Sequence, residues 1–154
     1  MCQSLSQKLC ELESRVVNII KLNRLDRPNI ITTGMIYCGR NCSSYTDYFN
    51  PMNLGLGNPF SHKETKNSVW KTNSLEDCLN YYRHWLWRLI QNENSRDYLT
   101  DWEQVYLNRF LDFCQSIELG RVNTLVCFCI NTYHNALNKT EIYCHTQILW
   151  NAAI

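Results

Sequence analysis

A chain of 154 residues with 45% apolar and 19% charged residues has the composition of a folded domain, which excludes a disordered tail or a low-complexity linker. Its formal net charge of +1 supplies no broad positive field for nucleic acid, so any such contact has to be local. No apolar run approaches a membrane span, and the start, Met1-Cys2-Gln3-Ser4, lacks the basic and apolar blocks of a secretion signal, so a cytoplasmic setting is expected.

Residues 2–12 put Leu5, Leu9 and Leu12 on one helical face, so residues 1–14 read as a short N-terminal helix or a tail. Arg15 to Ile20 is β-branched and compact, as in a buried strand. Residues 23–29 are a charged loop containing Pro28. Met35 to Cys38 predicts a second short strand, stopped by Gly39. From Gly39 to Asn73 periodicity fades and Asn, Ser, Gly and Pro dominate. A loop of that length is more often functional than not, with room for a short strand near Val69-Trp70. Ser74 predicts an N-cap, with Glu76 and Asp77 in the first turn to suit the helix dipole. The helix runs to about Gln91 and offers Leu75, Leu79, Tyr82, Leu86, Leu89 and Ile90 as its buried stripe. Thr100-Asp101-Trp102-Glu103 has the form of a capping box. It opens a second helix with Trp102, Tyr106, Phe110, Phe113 and Ile117 on one face, and Gly120 ends it. Val122 to Cys129 predicts a third strand, residues 131–140 a polar loop, and Cys144 to Ala153 a last helix with Ile148, Leu149 and Ala152 inward.

This order is α/β, and short apolar strands without alternation predict a sheet covered on both faces. The expected architecture is a small three-layer sandwich with a short, mainly parallel, Rossmann-like sheet, in a single domain over residues 1–154.

Nine cysteines, an odd number, argue against a closed disulfide framework and for reduced thiols that pack, ligate or react. Cys127 and Cys129 share one strand face because side chains alternate. The end of a parallel strand is where α/β proteins place ligands. Cys144-His145 opens the following helix, where free N–H groups favour negative charge and lower a thiol pKa. Three readings stand side by side. Cys144 and His145 are a catalytic nucleophile–imidazole pair; or Cys127, Cys129, Cys144 and His145 are ligands of a zinc ion, the cofactor this alternative implies; or the sulfurs are packed core.

Three further segments carry chemistry. Arg40, behind Gly39 at a strand end, presents a planar fork to phosphate or carboxylate, or else makes an exposed salt bridge. In Leu56-Gly57-Asn58-Pro59-Phe60, the backbone near Gly57 cradles an anion, Asn58 reads an amide or base edge, and Phe60 caps a pocket; the structural alternative is a plain turn. On Tyr81 to Arg88, Arg83, Trp87 and His84 either reach nucleic acid or form a solvated basic face.

These segments, in this order, resemble an uncharacterised family of small bacterial and phage proteins, the domain of unknown function numbered four-three-two-six. The motifs are Val16-Val17-Asn18, Tyr37-Cys38-Gly39-Arg40, Leu56 to Phe60, Tyr82-Arg83-His84-Trp85-Leu86, Leu125-Val126-Cys127-Phe128-Cys129 and Cys144-His145. The resemblance spans about Arg15 to Ala153. It departs from the family at Thr146, where glycine is usual, at Cys38, where an aliphatic residue is usual, and in a longer loop before Cys144. It implies where a site lies and no activity.

The expected function is binding, with hydrolysis of or transfer from, a small nucleotide-like phosphorylated ligand in one pocket. The Tyr37–Arg40, Gly57–Phe60 and Cys144-His145 segments form that pocket, with Arg40, Gly57, Asn58, Phe60 and Arg83 binding the ligand. The alternatives are a zinc- or thiol-stabilised interaction module without enzymatic activity and a nucleic-acid-binding protein; no membrane partner is expected.

Overall fold

The computed structural model describes residues 18–21, 34–40, 51–63, 65, 67–127, 134–135 and 144–153. The expected N-terminal helix, the 23–29 loop and Cys129 lie outside them. In chain order the elements are β1 (Asn18–Lys21), β2 (Met35–Tyr37), β3 (Phe60–Ser61), β4 (Trp70–Lys71), α1 (Leu75–Gln91), α2 (Asp101–Glu118), β5 (Thr124–Cys127), β6 (His134–Asn135) and α3 (His145–Ala153). This is an α/β chain with short parallel sheets. Among the described residues no helix is long and apolar enough to cross a membrane. The chain divides into two compact units, residues 1–38 with 112–154, and residues 39–111.

The first unit holds a four-stranded sheet in the order β2-β5-β1-β6. β5 runs parallel to both neighbours, with Leu125 opposite Ile19 on one side and Ile36 on the other. The Cys38 amide donates to the Val126 carbonyl at 2.8 Å and carries the ladder one residue past β2. Leu125, Val126 and Cys127 are all fully buried. Successive residues point to opposite faces, so both faces of this central strand are covered. β6 falls where a polar loop is expected. It pairs antiparallel with β1 through two residues, Asn135 opposite Asn18 and His134 opposite Ile19. An edge strand of two residues leaves no period in the sequence.

The second unit holds the parallel pair β3–β4 and α1. Ser74 caps α1 as expected, its hydroxyl accepting from the Asp77 amide at 3.0 Å. The buried stripe is Cys78, Leu79, Tyr82, Trp85, Leu86 and Leu89. Leu75, expected in that stripe, is 46% exposed, because the packed stripe begins a turn later. α2 starts with half of the expected capping box, the Thr100 amide donating to Glu103 Oε2 at 3.0 Å. It stops at Gly120, whose φ of 68° is in the left-handed region. Gly120 N–H bonds to the Ile117 carbonyl and Arg121 N–H to that of Ser116, each at 2.9 Å, the paired closure of a glycine-terminated helix.

Candidate functional site: a cysteine–histidine cluster at the sheet end

Parallel β2 and β5 finish at the same edge of the sheet, so Cys38 and Cys127 emerge side by side from neighbouring strands. α3 brings the third sulfur to them. Cys144 sits in the N-cap position, where an oxygen-bearing side chain is usual. Its sulfur takes the oxygen's place and accepts from the Thr146 amide at 3.4 Å. Gln147 reaches back and accepts from the Cys144 amide through Oε1 at 3.1 Å. Cys144-His145-Thr146-Gln147 is therefore a capping box with sulfur as the acceptor. Cys144 Sγ lies 3.1 Å from Cys127 Sγ, and none of the three cysteines is in a disulfide.

His145, the first residue of α3, completes the cluster. Its Nε2 is 2.6 Å from the Cys38 carbonyl oxygen. A carbonyl can only accept, so Nε2 carries the hydrogen and donates. Nδ1 then faces Cys144 Sγ across a long contact of 3.9 Å. The imidazole thus has the Cys38 carbonyl on one nitrogen and the Cys144 sulfur on the other, contacts through which a base can activate a thiol. Burial by itself would lower the imidazole pKa. The hydrogen bond and charge of Cys144, the charge of Cys127 and the Cys38 carbonyl outweigh it and hold His145 above its ordinary value. Cys38 is raised too, but there burial is the largest cause: together with Cys127 and Cys144 nearby, it pushes the thiol well up, so it stays protonated.

The cluster is closed to solvent: Cys38, Cys127 and Cys144 are fully buried and His145 is 3% exposed. Thr146 Oγ1 and Trp150 Nε1, one turn apart on α3, are also buried and have no hydrogen-bond partner among the described residues. Two thiolates on one tetrahedral zinc lie about 3.8 Å apart, from Zn–S bonds of about 2.3 Å. The observed sulfurs approach more closely than that. Among the described residues no group of three or more His, Cys, Asp or Glu side chains is disposed to hold a metal ion.

The other expected site residues lie in the second unit. Arg40 Nε donates to the Asn58 carbonyl at 2.7 Å and Nη2 to the Phe60 carbonyl at 2.8 Å. Arg40, expected to offer its fork to a phosphate or carboxylate, spends these donors on loop backbone. Gly57 packs directly on the Arg40 backbone. Asn58 is buried, accepting from the Phe60 amide through Oδ1 at 2.9 Å and donating to Cys78 Sγ at 3.3 Å. The Phe60 ring stacks on Trp70 with centroids 4.8 Å apart and tilts against Tyr81. Arg83 and His84 are exposed on α1, and the exposed Tyr81 and Trp87 share that helix.

Two features escape a reading of the sequence. The Cys38 carbonyl, which orients His145, has no local signal because its partner is 107 residues away. Gln147 had one: cysteine followed three positions later by glutamine, before an apolar run, has the spacing of a capping box. Comparisons with protein-family models, with curated proteins and with solved structures return no match for this chain.

Proposed function

We propose that this protein binds a small phosphorylated, nucleotide-like ligand at the edge of the sheet where its parallel strands end, and that Cys144 and His145 act on it as nucleophile and base. The observation that carries the reading is the clamping of His145 between the Cys38 carbonyl and Cys144 Sγ at the first residue of α3. Three further points support it. A helix N-terminus attracts an anionic group; the strand ends of a parallel sheet are the preferred ligand position; and the imidazole retains its proton above its ordinary range, beside a sulfur. The phosphate falls to the α3 end rather than to Arg40, whose Nε and Nη2 serve the Asn58 and Phe60 carbonyls. Burial of the pair requires that ligand entry open the cluster and suits chemistry from which water is excluded. The three-layer, Rossmann-like arrangement belongs to the same proposal, supported by burial on both faces of β5. So does kinship with the family whose motifs the chain resembles.

Titration calorimetry with adenosine and guanosine mono- and diphosphates tests it. Binding by the reduced wild-type protein, weakened at least about tenfold (about 1.4 kcal/mol) in His145→Ala, is the expected outcome. His145→Gln, checked for fold by circular dichroism, guards against a merely misfolded variant. Heat signals absent for every nucleotide, or equal in both His145 variants and the wild type, overturn the reading.

A further inference from the structure

We infer that Cys127 and Cys144 are an oxidisable dithiol, a modification site at which a hydroperoxide converts the two thiols to a disulfide. The sulfurs are 3.1 Å apart and both residues are anchored. Cys127 is laddered to Lys21 of β1, and Cys144 is held at the helix start by Thr146 and Gln147. A disulfide needs about 2.05 Å between sulfurs, so closure asks for about 1 Å. Cys38, the third sulfur, is turned toward the Ile36 carbonyl at 3.8 Å.

The chemistry balances. Cys144 passes its proton to His145 Nδ1, and the thiolate sulfur attacks one peroxide oxygen. The O–O bond breaks, and the departing hydroxide takes the proton from His145 and leaves as water. Cys144 is now a sulfenic acid. Cys127 attacks its sulfur, the S–O bond breaks, and the hydroxyl leaves with the Cys127 proton as a second water. Two thiols lose two electrons in all, and one hydrogen peroxide becomes two waters. The consequence for ligand binding rests on the proposed function: a disulfide consumes Cys144 and silences the site.

Hydrogen peroxide, the smallest of its class, is the probe because both sulfurs are buried. Wild-type protein is treated with a slight excess, blocked with N-ethylmaleimide and digested with trypsin. Cleavage after Arg121 and Lys139 separates Cys127 from Cys144, and fragmentation then resolves Cys127 from Cys129. The expected product is one linked peptide pair joining Cys127 to Cys144, lighter by two hydrogens and reversed by dithiothreitol. It persists in Cys38→Ser and is lost in Cys127→Ser. Absence of the linked pair in the wild type, or linkage of Cys144 to Cys38 or Cys129 instead, overturns the inference without reliance on any variant. Calorimetry on oxidised and reduced protein separates the two proposals. If reduced protein never binds nucleotide, the functional reading falls while the disulfide stands; binding unaffected by a mapped disulfide removes the silencing.

Discussion

Gly57 owes its identity to a neighbour distant in the chain. A Cβ there would lie 2.4 Å from Arg40 Cγ and 2.6 and 2.7 Å from the Arg40 backbone N and Cα. The arginine cannot yield cheaply while Nε and Nη2 hold the Asn58 and Phe60 carbonyls. Gly57→Ala should therefore cost about 1–3 kcal/mol in urea denaturation, the range of overpacking. A loss of only a few tenths would show that this approach is loose. Glu103 is the other residue whose surroundings decide its role. It is buried and accepts from the Trp85 indole N–H at 2.9 Å, from the Thr100 amide and from Arg88. Burial alone would raise the carboxyl pKa, but the Thr100 amide, the Trp85 indole and Arg88 together hold it below the usual range. A pKa lowered on folding contributes stability above the unfolded value, about 4.3, and loses it as pH falls through the lower folded value. Glu103→Gln should thus trail the wild type at neutral pH, and the gap should narrow below about pH 4. A gap constant from neutral to acid pH would contradict this. The Thr100–Glu103 spacing was legible in the sequence. The indole and the guanidinium were not, because they come from α1, and only helix packing decides which α1 side chains meet Glu103.

At the scale of elements, local chemistry was the more readable part. Ser74, Thr100 and Gly120 mark helix ends that the structure reproduces, since a cap is satisfied within a few residues. α3 follows the same rule with an unusual acceptor. Gln147 is 2% exposed and receives the buried Cys144 amide, so Gln147→Ala removes the acceptor of that bond. A stability loss of about 1–2 kcal/mol is expected, with Gln147→Glu retaining most of it because its carboxyl still accepts. Equal midpoints for the Ala variant and the wild type in thermal melts would mean that the cap is idle. Periodicity served less well at margins. It placed Leu75 in a stripe that starts a turn later, and it passed over β6, whose two residues are too few to show alternation.

For the whole molecule, the parallel sheet decides which sulfurs meet. β5 lies between β2 and β1, so the residues leaving β2 and β5 end at one edge. α3 then delivers Cys144 and His145 to that edge, and His145 reaches the Cys38 carbonyl. Composition, helix caps and the class of each main element were written in the sequence alone, because they depend on neighbours within one or two turns. So was the grouping of Cys127, Cys129, Cys144 and His145, of which Cys129 lies outside the described residues. Strand order, the burial of the cluster, the carbonyl that orients His145 and the use of Arg40 to tie down the 58–60 backbone came only with the tertiary structure. Each of those requires segments tens of residues apart to be brought into register, and no local period or spacing encodes that.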